Sequence, residues 1–177
     1  TWMDRNLGAS RAATSSSDAQ AYGDLYQWGR PADGHQCRNS DTTSIISSTD
    51  QPGHGDFILV PNQTPWDWRI PQNANLWQGV NGTNNPCPSG YRIPTQTEFD
   101  EERGTWTNQN YIGAFNSFLK LTLAGVRIPS GEMYVNNGGG YWSSSVFNRG
   151  SRGLNFGNYS SDPSGGGAYF ELYNRSC

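Results

Sequence analysis

The sequence is poor in strongly apolar and in basic residues, and each scarcity excludes a class of protein. Hydrophobic residues fill 33% of the 177 positions, and no apolar run approaches the roughly 20 residues that span a bilayer. Lysine occurs only once, at Lys120, and the formal net charge is -3 with a pI of about 5.2. Because nucleic-acid-binding surfaces are basic, we expect neither direct membrane insertion nor a nucleic-acid partner.

The low hydrophobic content does not make the chain disordered, because aromatic residues are abundant. Tryptophan, tyrosine and phenylalanine occupy 13% of positions, whereas disordered segments are poor in aromatics. The 22 glycines and 10 prolines indicate many turns and few long helices. We therefore expect a single domain over residues 1–177, large enough to bury a hydrophobic core.

The start of the sequence and its cysteines suggest a mature or excised domain. The chain opens at Thr1 without an initiator methionine or a signal peptide, so we expect any targeting segment to lie upstream. Cys37, Cys87 and Cys177 form an odd set, which in a secreted protein indicates an intermolecular bond or a missing partner. Three buried or idle thiols are the alternative interpretation.

Local patterns predict two helices and several short strands. Thr95 and Glu98 have the spacing of a capping box, which predicts a helix that begins at Thr95 and ends at Gly104. A second short helix is expected over 111–118. The alternating segment 119–123 predicts a half-buried strand, and strands are also expected at 57–60 and 141–146.

Aromatic rings and arginines are expected to serve the interior. Large rings lie in protein cores more often than they stack on sugars, so Trp28, Trp77 and Trp142 are predicted to be structural. All but one of the 12 cationic residues are arginine. Arginine favours planar, bidentate or stacked contacts, so several of these side chains are expected to form structural pairs.

The segment from 141 to 177 combines an apolar frame with small polar and aromatic residues. Leu154 and Phe156 alternate with polar neighbours, as do Phe170 and Leu172, which predicts one buried and one exposed set of positions. The other positions have the composition of antibody and designed-binder contact loops. The predicted ligand-binding residues are Phe147, Asn148, Arg149, Arg152, Asn155, Asn158, Tyr159, Asp162, Tyr169, Glu171 and Tyr173.

Histidines, cysteines and carboxylates show no recognisable catalytic or zinc pattern. His35 and His54 lie in glycine-flanked loops, and we interpret them as exposed or turn-stabilising rather than as members of a catalytic triad. The cysteines and histidines lack zinc spacing, so we predict no catalytic residue and no cofactor. A Ca²⁺ ion is left open without a ligand loop of fixed spacing, its candidate ligands being Asp50, Asp56, Asp67 and Asp162.

Several short phrases spread over the chain carry a family resemblance. They are WMDRNL at 2–7, YGDLYQWGR at 22–30 with DGH at 33–35, CPSGYRIPT at 87–95 with EF at 98–99, LKL at 119–121 with AGVR at 124–127, and GYWSSS at 140–145. Together they resemble the Fibrobacter-type major paralogous domain, a bacterial and phage relative of the formylglycine-generating enzymes. The resemblance implies an α+β, C-type-lectin-like fold with a short twisted, mainly antiparallel sheet, one or two helices and long ordered loops.

The resemblance also implies details of the C-terminal end. Members of that family close with a strand carrying Ser-Val-Arg-Cys, so a final strand is expected beyond Cys177. Cys87 would pair with the cysteine of that strand, and Cys37 would then be free or paired with Cys177. Formylglycine-generating enzymes use two reactive cysteines near the C-terminus, whereas this sequence has only Cys177 there, so their oxidase activity is not carried over.

The function we expect from the sequence is ligand binding without catalysis. A subset of that family, similar to the major tropism determinant of phage and to certain surface lipoproteins, has a C-terminal ligand-binding face that is diversified by retroelements. We expect a receptor-binding domain outside the cell, on a cell surface or virion, that holds a protein or glycan partner. The alternatives are a subunit of an adhesin, fibre or filament, which would form homo-oligomers, and a formylglycine-generating-type oxidase.

Overall fold

A computed structural model of the chain describes residues 1–60, 66–131, 133–148 and 150–157, together with the backbone of 169–173. This described part has a mixed α+β architecture of two helices and three small sheets. Neither of these helices is long and apolar enough to cross a bilayer. The elements in chain order are β1 (Thr42–Thr43), β2 (Phe57–Ile58), α1 (Gln96–Gly104), α2 (Tyr111–Asn116), β3 (Val126–Arg127), β4 (Met133–Tyr134), β5 (Gly138–Phe147), β6 (Gly150–Gly157) and β7 (Tyr169–Tyr173).

The main sheet is antiparallel, with strand order β5-β6-β7. Tyr141 of β5 pairs with Leu154 of β6, and Leu154 pairs in turn with Phe170 of β7. The register of β5 against β6 shifts between Trp142 and Val146, as expected at a β-bulge. The two small sheets are the parallel pair β1-β2 and the antiparallel pair β3-β4.

Hydrophobic clusters cover both faces of the central strand pair. On one face Leu154 and Phe156 pack with Phe99 of α1 and Ala114 of α2. On the other face Trp142 packs against a cluster formed by Trp28, Trp77 and Ile93. Burial of each such side chain stabilises the fold by about 1.5–3 kcal/mol. The prediction that Trp28, Trp77 and Trp142 are structural is confirmed.

The two predicted helices are present. α1 follows Thr95, whose side-chain oxygen accepts the Glu98 amide at 3.2 Å, while the Glu98 carboxylate accepts the Thr95 amide at 2.8 Å. The predicted capping box is therefore confirmed. α2 ends at Asn116 rather than at Phe118, because Ser117 has an extended backbone with a ψ of 171°.

Segment 119–123 does not form the predicted strand. Leu121 donates its amide to Ala114 of α2 at 3.1 Å, and Leu123 donates to Ser16 at 2.8 Å. Lys120, between the buried Leu119 and Leu121, has a φ of 49°, outside the strand region. Alternating apolar residues here reflect a buried irregular segment whose hydrogen bonds go to unrelated parts of the chain, so the strand prediction is wrong.

Arginine side chains form the expected structural pairs. Arg92 binds both carboxylate oxygens of Glu98, at 2.8 and 2.6 Å. These hydrogen bonds, aided by the Thr95 amide, lower the pKa of Glu98 to about 2. Other pairs of this kind are Arg11–Asp18, Arg30–Asp33 and Arg69–Asp50.

Replacing Thr95 by alanine tests the capping box. The Thr95→Ala variant removes the oxygen that accepts the Glu98 amide, and we expect the free energy of unfolding to fall by about 1 kcal/mol. Thr97→Ala is the matched control, because Thr97 lies exposed in the same helix. Chemical denaturation of both variants measures the difference. Equal unfolding free energies for the two variants would contradict the capping role.

Candidate functional site

The tip of the β5–β6 hairpin carries exposed apolar side chains. Phe147, the last residue of β5, pairs with Gly150 of β6, so a two-residue connection closes the hairpin. Asn148 in that connection has a φ of 53°, a value that Asn adopts more readily than most residues and that tight hairpin turns require. Phe147 is 51% exposed and Val146 is 38% exposed. The fold therefore presents an aromatic ring to solvent at a fixed turn.

Arg152 holds the Phe147 ring in place. The guanidinium carbon of Arg152 lies 4.9 Å from the centroid of the ring, within the range of a cation–π interaction. An exposed contact of this kind contributes about 0.5–1 kcal/mol. The two side chains come from opposite strands of the hairpin, and Arg152 is half-buried. The pair is therefore ordered before any partner arrives.

Hydrogen bonds from the serines of β5 fix the hairpin to the rest of the domain. The Ser143 hydroxyl donates to the Arg152 carbonyl at 2.8 Å across the strand pair. The Ser144 amide donates to the Pro94 carbonyl at 2.8 Å, and the Ser145 hydroxyl accepts the Gln96 amide at 2.9 Å. These bonds tie the irregular part of β5 to the first turn of α1.

Asn155 does not lie on an exposed face, so its predicted exposure is wrong. It is 7% exposed, and its side-chain amide donates to the Gly153 carbonyl at 3.1 Å. A Cβ added to Gly140, which pairs with Asn155, would lie 2.4 Å from Val126 Cγ1 and 3.2 Å from Asn155 Oδ1. β3 thus covers the face of β6 that faces away from Leu154. Alternation along β6 distinguishes two buried faces.

The other predicted contact residues divide into three groups. Phe147, Asn148 and Arg152 come together at the hairpin tip. The backbone of β7 places Tyr169, Glu171 and Tyr173 at register positions opposite Asn155, Gly153 and Ser151. The side chains of β7, including the predicted buried residues Phe170 and Leu172, lie outside the described set. So do the residues Arg149, Asn158, Tyr159 and Asp162.

His35 belongs to a buried hydrogen-bond network. Its Nδ1 lies 2.6 Å from Asp33 Oδ1, and its Nε2 accepts the Gln27 amide at 3.0 Å. Burial lowers the pKa of His35 to about 4, although the Asp33 carboxylate opposes the shift. Burial by itself would raise the pKa of Asp33, but hydrogen bonds from His35 and Arg30 outweigh it and leave that pKa lowered. His35 is therefore neutral at pH 7 and stabilises a turn. Of the two interpretations given for it, exposed or turn-stabilising, the second is confirmed.

Arg30 joins this network to the loop at 54–56. Its guanidinium donates to Asp33 Oδ2 at 2.7 Å, to Gln27 Oε1 at 2.9 Å and to the carbonyls of His54 and Asp56 at 3.1 and 2.9 Å. Arg30 has no exposed surface. The arginine-rich composition predicts structural pairs but not this network. The close spacing of Arg30, Asp33 and His35 around Gly34, with its φ of 112°, was the available signal.

The structure describes three of the four candidate Ca²⁺ ligands and two of the three cysteines. Among the residues that the structure describes, no three His, Cys, Asp or Glu side chains come together to hold a metal ion. Asp50, a candidate Ca²⁺ ligand, instead pairs with Arg69 at 2.7 Å, while Asp162 lies outside the described residues. Cys37 is exposed and Cys87 is half-buried, and neither forms a disulfide with another described residue. Burial raises the pKa of Cys87 to about 11.

Comparison with known proteins finds no family model, curated protein or solved structure that matches this chain. Two features dominate the geometry of the described residues: a buried charged network that holds the loops, and an exposed aromatic hairpin tip fixed to the same frame.

The pH dependence of stability tests the neutral, buried state of His35. The folded pKa of about 4 lies below the ordinary value of 6.5, so the unfolded chain binds this proton more readily. The stabilisation is complete above pH 6.5 and is lost as the pH falls towards 4, by up to about 1.4 kcal/mol per pH unit. Above about pH 5 the unfolded carboxylates are mostly ionised, and the part of the slope that His35→Gln removes in this window belongs to the histidine.

Denaturation midpoints between pH 7 and 5 measure the effect. The wild type and His54→Gln are expected to lose stability together as the pH falls. His35→Gln is expected to show a flat profile, whatever its absolute stability, because its side chain takes up no proton. The same slope in all three proteins would contradict the assignment.

Proposed function

We propose that this chain is a non-enzymatic binding domain that holds a protein or glycan partner, with the β5–β6 hairpin and strand β7 as its contact surface. The observation that carries the proposal is the exposed Phe147 ring, held by Arg152 on a hairpin whose base is buried. Binding hot spots are enriched in aromatic residues and arginine. The domain acts outside the cell, on a cell surface or a virion.

Rigidity of the hairpin is what favours binding. Ordering a mobile side chain at an interface costs about 0.5–1.5 kcal/mol, and Phe147 is already held by its contact with Arg152. Behind the tip, Leu154 and Phe156 are almost fully buried and keep the strand still. A partner therefore meets a preorganised surface and retains more of the contact energy as affinity.

The proposed fold is C-type-lectin-like, and the proposed contact surface is diversified by a retroelement. A small antiparallel sheet, two helices and long ordered loops support the first part, together with the family resemblance of the sequence phrases. The second part is supported by the hairpin tip, where Phe147 and Asn148 are exposed. An exposed side chain such as that of Phe147 is replaceable at little cost to stability.

A second candidate function is a subunit of an adhesin, fibre or filament. Its support is the position of β7 at the end of the strand order β5-β6-β7. In the described part of the chain β7 pairs with β6 alone, and an edge strand is a template for pairing with another chain. Sedimentation at increasing protein concentration separates the two functions, since only the subunit self-associates through this edge.

Alanine variants of the hairpin and of β7 test the proposed surface. Phe147→Ala is expected to weaken partner binding by about thirtyfold or more, because truncation of an aromatic hot-spot residue costs about 2 kcal/mol or more. A triple variant with Tyr159, Tyr169 and Tyr173 changed to alanine is expected to abolish binding. Thermal stability should remain nearly unchanged in both. Binding of the labelled domain to a glycan array and to a panel of bacterial cells provides the measurement.

Phe118→Ala is the matched control. Phe118 is 80% exposed. It follows α2 and belongs to none of the strands that form the hairpin. This variant loses an exposed aromatic ring of the same kind and is expected to bind as the wild type does. Wild-type binding by both the Phe147 variant and the triple tyrosine variant would refute the proposed contact surface.

A further inference from the structure

A cavity of about 210 Å³ lies beside the sheet, at the face that packs against the tryptophan cluster. Its lining includes Tyr26, Trp77 and Trp142, and two glycines of the strand pair, Gly140 and Gly153, also border it. The volume is that of about seven water molecules in the liquid, enough for a small organic group.

The aromatic walls of the cavity are held by hydrogen bonds within the protein. Trp142 Nε1 donates to the Tyr26 carbonyl at 2.9 Å, and Trp77 Nε1 donates to the Arg30 carbonyl at 3.1 Å. The rings of Tyr26 and Trp77 pack edge to face, with centroids 6.2 Å apart. Since both indole N–H groups are engaged elsewhere, these tryptophans offer the cavity apolar ring surface.

Asp24 supplies the charged group of the cavity. Asp24 is one of the residues that line the cavity, and no described residue donates a hydrogen bond to its carboxylate or forms an ion pair with it. Burial raises the pKa of Asp24, and the nearby Arg38 only opposes this shift. A partly buried carboxylate without a partner is costly. The site therefore favours a ligand that donates hydrogen bonds and carries positive charge.

The neighbouring arginines already have other partners. Arg38 donates to the carbonyls of Gly23 and Ala124, at 2.7 and 2.9 Å. Arg127, which also borders the cavity, donates to Ser40 Oγ at 2.7 Å and lies over the Phe57 ring at 4.2 Å. Neither guanidinium donates a hydrogen bond to Asp24, so the oxygens of its carboxylate remain available as acceptors.

We propose that this cavity binds a primary ammonium group carried on an apolar stem. The ammonium pairs with the Asp24 carboxylate, and the stem lies against Tyr26, Trp77 and Trp142. Aromatic rings add to the attraction, since their faces are electronegative. The ammonium comes either from a free amine or from a lysine side chain of a protein partner. This site is separate from the hairpin tip, so the proposal stands independently of the function proposed above.

Calorimetric titration with a matched pair of probes tests the site. The probes are 2-phenylethylamine and 2-phenylethanol, which share an apolar stem and differ in charge. We expect the amine to bind at least about tenfold more tightly, because hydrogen bonds between charged groups exceed those of neutral ones. Asp24→Asn is expected to remove this preference. Asp41→Asn, which changes an exposed carboxylate outside the cavity, should retain it.

A second pair of probes and a control variant complete the titration. Nα-acetyl-lysine methylamide and its norleucine analogue distinguish the sources: binding of the lysine compound indicates a partner side chain, and binding of the free amine alone indicates a small molecule. The Phe147→Ala variant should bind the amine as the wild type does. Near-ultraviolet circular dichroism confirms that Asp24→Asn is folded. Absence of amine binding, equal binding of amine and alcohol, or unchanged binding by folded Asp24→Asn would each overturn the proposal.

Discussion

The buried guanidinium of Arg30 is the constraint on which the rest of the structure depends. Its ion pair with Asp33 and its bonds to the carbonyls of the loop at 54–56 join segments that have little regular secondary structure. Removing one partner of a buried ion pair costs about 3–5 kcal/mol, so these loops are held in one arrangement. The adjacent Trp28 extends this frame to the sheet, since its Nε1 donates to the Ser143 carbonyl at 2.9 Å.

The same frame explains how a chain with little hydrophobic content displays an ordered surface. Helices cover one face of the β5–β6 pair and the tryptophan cluster covers the other, so the strands are fixed from both sides. The hairpin tip lies beyond this cover, with Phe147 exposed and Arg152 against its ring. Preorganisation of this kind reduces the entropic cost of binding, which is why a rigid interior and an exposed tip together favour a binding function.

Local signals in the sequence were sufficient for some elements and not for others. The capping box of Thr95 and Glu98 was predictable because both partners lie within one helical turn. The strand predicted at 119–123 is absent because distant hydrogen-bond partners decide its backbone. The prediction that Asn155 is exposed was wrong, because the alternation of residue types identifies two faces of a strand without showing what covers them. Two partners of Arg30, the carbonyls of His54 and Asp56, were not predictable because they come from a separate loop.

Amide hydrogen exchange of the native protein tests most directly whether the buried network holds the domain together. The Gln27 amide donates to His35 Nε2 and the Ile58 amide donates to Gln27 Oε1, and neither bond is part of a strand ladder. If the buried network holds the domain together, both amides exchange only through global unfolding, as the amides of β6 do. Rapid exchange of Gln27 and Ile58 by local opening, while β6 stays protected, would contradict the account.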